Sequence, residues 1–244
     1  MWQKLNQAWQ DPVKDSWWKV LLLIGVYLTS QILAVTGLIQ YGLARSGLES
    51  YDLVGADLSD LAYIQPWTFV IMEAVGLVVL LLGISIFGFK LFDWTLNKWK
   101  LLIGGFAVYG IMYCYLSFYD QILIAYNPAF ETTQNQAALR ISTQGAPFLL
   151  TFLALSILGP IVEEILFRGL LMKYLLPQLP WLGLGISSVI FGLLHRPANV
   201  LEWGLYAGMG LIFGLTYLKT RRLEYTICVH IINNCVAVMM MYGL

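Results

Sequence analysis

Val20–Ala44 reads VLLLIGVYLTSQILAVTGLIQYGLA, twenty-five residues without a charged side chain. About 20 mostly apolar residues cross the hydrocarbon core as a helix, whereas the apolar core of a signal peptide runs only about 7 to 15. The stretch is therefore expected to be a retained membrane helix, with Trp17 and Trp18 at the interface before it. Working outward, the same reading recurs along the chain. Trp67–Phe89 is interrupted only by Glu73, Leu101–Tyr119 has no charge, and Pro147–Leu176 is long but carries Glu163, Glu164, Arg168 and Lys173. Trp181–His195, Trp203–Leu218 and Tyr225–Leu244 are shorter and apolar enough to insert against neighbours. The expected fold is all-α: a polytopic transmembrane helical bundle of about seven spans. Its expected divisions are a cytoplasmic segment 1–19, a three-span region 20–126 and a four-helix core 146–244.

Composition excludes the alternatives. The 244 residues are 59% hydrophobic and 11% charged, while a soluble domain carries about 25% charged residues. Fourteen Lys and Arg balance fourteen Asp and Glu, so no basic field exists to grip nucleic acid. Cys114, Cys228 and Cys235 lie in apolar stretches with no recurring spacing, which gives neither a disulfide framework nor a zinc site. Basic residues gather on cytoplasmic loops. In the seven-span layout Lys4, Lys14, Lys19, Lys90, Lys98, Lys100, Lys173, Lys219, Arg221 and Arg222 share one side, against Arg45, Arg140 and Arg196 on the other. The amino terminus is expected in the cytoplasm of a bacterial plasma membrane, with the Arg45–Pro66 and Asn127–Gly145 loops outside.

Ionisable groups inside a span cost about 2.5 to 3.5 kcal/mol each on the insertion scale and are functional candidates by default. Here they are Glu73, Glu163, Glu164, Arg168, His195 and His230, beside Asn233 and Asn234. Glu164 and Arg168 stand at i, i+4 with the acid first, the better orientation for an ion pair within a helix. Glu163 is turned about 100 degrees from Glu164 and is the carboxylate left free to act as a base. The competing reading has both acids share Arg168 as a polar clamp between helices. His230 and Asn234 are also four apart, with Asn233 a competitor for that face, and Phe191 and His195 repeat the spacing. A buried histidine can equally be an interhelical hydrogen-bond partner.

Depth permits these groups to meet. At about 1.5 Å per residue, Glu163 lies about 20 Å from Leu176 and His195 about 21 Å from Trp181. His230 and Asn234 lie about 12 and 18 Å from Arg222 on the same rise. Gly159-Pro160 just before the acids should loosen that helix, because proline lacks a backbone donor. One unpaired carboxylate, two imidazoles and an amide in a dry pocket suit the addition of water to a peptide carbonyl. No Gly-x-Ser-x-Gly elbow supports a nucleophilic serine. Two histidines and a glutamate are legitimate zinc ligands, although the His-Glu-x-x-His helix of common zinc peptidases is absent.

Glu163-Glu164-Ile-Leu-Phe-Arg168-Gly169, Phe191-Gly-Leu-Leu-His195 and His230-Ile-Ile-Asn-Asn234 resemble the three ordered motifs of the CPBP family. This is the CAAX protease and bacteriocin-processing family, formerly grouped as Abi, which includes the type II CAAX prenyl endopeptidases. The resemblance covers about Thr151–Val238 and implies an intramembrane glutamate endopeptidase that needs no cofactor and no bound metal. It implies that Glu163 activates water, that His195 helps position it, and that His230 and Asn234 stabilise the oxyanion. Glu164 and Arg168 then form the supporting ion pair. The implied partners are the bilayer and a peptide or membrane-protein substrate, processed in peptide maturation, bacteriocin self-immunity or CAAX-type cleavage. A different class of function is also open: a non-proteolytic membrane partner of a bacteriocin, its receptor or a sensor kinase. A small transporter or proton relay would use buried Glu and His as well, but the chain lacks an inverted repeat.

Overall fold

The computed structural model describes residues 9, 16–46, 65–93, 95 and 97–244. The expected outer loop after Arg45 and most of the cytoplasmic amino-terminal segment lie outside the described residues. Among those described, all regular structure is helical. The elements are α1 (Ser16–Ser46), α2 (Gln65–Phe87), α3 (Lys98–Tyr126), α4 (Gln134–Ser142), α5 (Phe148–Leu175), α6 (Pro180–Leu194), α7 (Val200–Thr220) and α8 (Leu223–Met241).

Each of the seven expected spans corresponds to a helix, but only five are long and apolar enough to cross a membrane: Ser16–Gly37 of α1, Val70–Phe87 of α2, and α3, α5 and α8. The difference lies in the α6–α7 hairpin. The 15 residues of α6 rise only about 22 Å, short of a hydrocarbon core of about 30 Å, and α7 carries Glu202 and Lys219 in its end turns. A full or partial crossing by this hairpin leaves α8 on the same side, so the parity of the topology does not depend on it. The chain is an integral membrane protein by these helices, and large apolar side chains such as Ile32, Leu33, Ile86, Phe118 and Leu149 cover its exterior.

Local chemistry sets the boundaries. Asn97 caps α3 by accepting from the amides of Trp99 and Lys100, and Asn199 caps α7 through Leu201 and Glu202. Pro180 occupies the first turn of α6, where its missing N–H costs nothing. The polar stretch Asn127–Gly145, read from sequence as a loop, contains α4, capped by Thr133. At the centre of the bundle, α5 touches α1, α2, α6 and α8, while α3 packs on α7 and α8. The α6–α7 seam is tight because Gly192 sits where a β-carbon would stand 3.0 Å from Ala207 and Trp203.

Helix α5 changes hydrogen-bonding register along its length. Phe148–Thr151 and Gly159–Glu164 are α-helical, whereas Phe152–Leu158 and Ile165–Leu175 are wound as the wider π-helix. Such windings mark strain or function, and sequence supplies one cause. The Gly159 amide bonds to the Ala154 carbonyl, five residues back. The next carbonyl, that of Leu155, would take residue 160 in the same register, and residue 160 is proline.

Candidate active site

Glu164 and Arg168 face inward from α5, both with 0% exposure. Arg168 Nη1 donates to Glu164 Oε1 at 3.0 Å, and Nη2 donates to the Gly210 carbonyl of α7 at 2.7 Å. Its guanidinium carbon lies 5.0 Å from the Phe191 ring centre and 5.3 Å from that of Phe213, an aromatic cage for a buried cation. His230 on α8 completes the cluster, with Nδ1 3.0 Å from the same Glu164 oxygen. Because that oxygen accepts, His230 Nδ1 carries the proton. Phe213 stacks on the imidazole at 4.4 Å and fixes its plane.

Glu163, one residue earlier, stands outside the Glu164–Arg168 pair, on the other side of the His230 ring nitrogens. Its Oε2 is buried without a hydrogen-bond partner and stands 3.8 Å from His230 Nε2. That gap is too long for a direct bond, but a water to one side can reach both atoms at about 2.8 Å. Glu163 is 34% exposed as a side chain, where Glu164 is 0% exposed.

His195 is not inside α6, as expected from the Phe191–His195 spacing, but is the first residue beyond it. Arg196 follows in the left-handed region at φ 49° and turns the chain away. His195 Nδ1 lies 2.7 Å from the Phe191 carbonyl, so Nδ1 donates and Nε2 is left to face a ligand. The imidazole is within electrostatic range of both Glu163 and His230. Asn234 is engaged elsewhere. Its Nδ2 donates to the Leu155 carbonyl at 2.9 Å, its Oδ1 accepts from Asn233 Nδ2 at 3.2 Å, and Ser156 donates to its backbone carbonyl at 3.1 Å. Its amide takes the carbonyl that Pro160 cannot, leaving one N–H for other use.

Sequence reasoning passed over several residues around these groups. Tyr206 stacks on His195, Phe213 stacks on His230, and the Gly210 carbonyl holds Arg168. Gly210 also lets α7 approach Ser188 and Phe191. Glu73, without an identifiable partner from spacing, points its carboxyl at Gly159, one turn before Glu163, and interacts electrostatically with Glu163. Among the described residues, no three of His, Cys, Asp and Glu gather as metal ligands.

This buried polar cluster joins α5, α7 and α8 of a helical integral membrane protein. Comparison with known proteins narrows the class. Residues 145–236 match the family model described as type II CAAX prenyl endopeptidase Rce1-like. YdiL of Bacillus subtilis (strain 168), provisionally named a membrane peptidase, is 36% identical over 111 residues, 45% of this chain and 43% of that protein. The chain thus aligns with less than half the length of YdiL. The membrane-embedded CAAX protease MroQ of Staphylococcus aureus (strain USA300) is 26% identical over 231 residues, covering 89% and 86% of the two chains. The UPF0177 protein YbdI of Lactococcus lactis subsp. lactis (strain IL1403) is 26% identical over 157 residues, 63% and 83% of the chains. No solved structure matches. Residues 145–236 are thus similar to the type II CAAX prenyl endopeptidases, and the relatives' names support a membrane protease.

Proposed function

We propose that the protein is an intramembrane endopeptidase in which Glu163 activates water for attack on a peptide carbonyl. The observation that carries this reading is the state of the two adjacent acids. Glu164 is paired with Arg168 and bonded to His230 through Oε1, while Glu163 is left out of the ion pair with its Oε2 3.8 Å from His230 Nε2. Glu163 takes a proton from water as the oxygen attacks the carbonyl carbon. The tetrahedral intermediate collapses, the C–N bond breaks, and the proton passes to the leaving amine. His195 holds the water through Nε2. His230 donates to the oxyanion from Nε2, and because Nδ1 already donates to Glu164 it does so as an imidazolium between two carboxylates. The free N–H of Asn234 is the second donor.

The substrate class is a peptide or small membrane-associated protein, with CAAX-type processing favoured by the name of MroQ. The distribution of Lys and Arg supports an amino terminus in the cytoplasm. Membranes from cells carrying wild type and Glu163→Gln are to be compared for peptide fragments by mass spectrometry. The variant should lose fragments by a factor of about 10² to 10⁴, the contribution of a positioned base, at equal protein level. Equal fragments would overturn the reading. Activity in proteoliposomes should persist in chelator; chelator sensitivity reversed by zinc would replace the base with a metal. A phenotype that survives Glu163→Gln but is lost in Arg168→Ala would identify a non-proteolytic binding partner instead.

A further inference from the structure

The polar segment Asn127–Gly145 reaches the site through one aromatic side chain. The Thr133 hydroxyl, at the start of α4, lies 2.6 Å from the Tyr206 hydroxyl, and both residues are buried. One turn earlier on α7, buried Glu202 accepts the Gln134 amide at 3.0 Å and the Ala198 amide at 3.0 Å through the same oxygen. Two successive residues of the segment are thus tied to two residues four apart on α7. A cavity of about 410 Å³ runs along this seam, lined by Phe130, Glu131, Thr132, Ala198, Asn199 and Glu202 among others. Beside that space, discrete hydrogen bonds rather than continuous packing hold the segment down.

Tyr206 is also the residue that faces His195. The two rings lie 4.4 Å apart with planes 18° from parallel, and Phe191 covers the imidazole at 4.5 Å. His195 stands past the end of α6, so the regular helix does not hold its ring. The Phe191 carbonyl fixes one nitrogen, and the plane of the ring is left to the two aromatic neighbours.

We propose that Tyr206 is a positioning residue for His195, and that the Asn127–Gly145 segment sets the imidazole plane through the Thr133–Tyr206 hydrogen bond. The catalytic meaning of that plane rests on the function proposed above; the plane itself does not. The chain has only two histidines, so ring-¹⁵N histidine labelling of the full chain in nanodiscs gives two sets of signals, assigned with His230→Gln. Tyr206→Leu should move the ring signals of His195 and leave those of His230 in place. Tyr206→Phe and Thr133→Val keep the stack and cut the tether, and Thr133→Val also removes the cap on the Gln136 amide. Tyr206→Phe should speed amide exchange across residues 133–142 by about fivefold, the factor for one net hydrogen bond, and Thr133→Val should speed it further. With a fluorogenic farnesylated C-terminal peptide, all three should lower kcat with KM unchanged.

His195 signals that stay put in Tyr206→Leu, or exchange that is unchanged in Tyr206→Phe, would overturn the proposal. If His195 shifts as expected and wild type cleaves no peptide, the positioning inference stands and the peptidase reading falls. If wild type cleaves and kcat is indifferent to all three variants, the inference falls and the peptidase reading stands.

Discussion

Asn234→Ala should destabilise the protein, and by an amount that depends on Pro160. In the π-wound part of α5, Gly159 donates to Ala154, and the carbonyl of Leu155 has no donor at residue 160 because that residue is proline. Asn234 supplies one from α8 at 2.9 Å. Removing the amide leaves a partly buried carbonyl unsatisfied, which costs about 1 to 3 kcal/mol; interhelical hydrogen bonds in membranes fall nearer the low end, about 0.6 to 2 kcal/mol. An effect of about 1 to 2 kcal/mol is therefore expected. Pro160→Ala restores a backbone N–H that can take the Leu155 carbonyl, so Asn234→Ala in that background should cost at least about 0.5 kcal/mol less, the net value of a replaced hydrogen bond. The four proteins of the cycle are to be compared by SDS-induced unfolding in mixed micelles, which reads coupling free of shared background effects. Equal costs of Asn234→Ala with and without Pro160 would refute the account, because the proline would then not be what leaves the carbonyl vacant.

Two further outcomes follow from burial. Arg168→Met should lower stability by about 3 to 5 kcal/mol, since it removes the guanidinium that pairs with Glu164 at 0% exposure, whereas Glu164→Gln/Arg168→Met should recover much of that loss in the same unfolding assay; a double variant as weak as the sum of the singles would mean that the pair is not one electrostatic unit. Gly192→Val places a branched side chain where even a β-carbon stands 3.0 Å from the Ala207 amide nitrogen, so a loss of about 1 to 3 kcal/mol is expected from overpacking, visible as a lower melting temperature in detergent, and no loss would show that α6 and α7 can part.

The sequence made the spans legible because lipid-facing helices must be apolar over their whole length, a signal that needs no knowledge of neighbours. α1, α2, α3, α5 and α8 follow from that alone. α6 and α7 were harder to place, since 15 apolar residues describe a buried hairpin as well as a crossing. α4 was passed over for another reason: QNQAALRIS has too little apolar periodicity to announce a helix. Its start was nonetheless written in Thr133-x-x-Gln136, a capping-box pattern in which the Thr133 hydroxyl accepts the Gln136 amide at 3.3 Å.

Within the candidate site, relations inside one helix were readable and relations between helices were not. The i, i+4 spacing of Glu164 and Arg168 suggested a pair at the level of sequence, and the two are in contact at 3.0 Å. Nothing in periodicity could join Tyr206 to Thr133 across 73 positions, or Asn234 to Leu155 across 79. Those contacts decide how much of each polar side chain is left over for chemistry. Arg168 divides its donors between Glu164 and Gly210, His230 gives one nitrogen to Glu164, and Asn234 gives one N–H to a carbonyl that proline leaves vacant. After these commitments, the acid outside the Glu164–Arg168 pair, with its Oε2 3.8 Å from His230 Nε2, is Glu163.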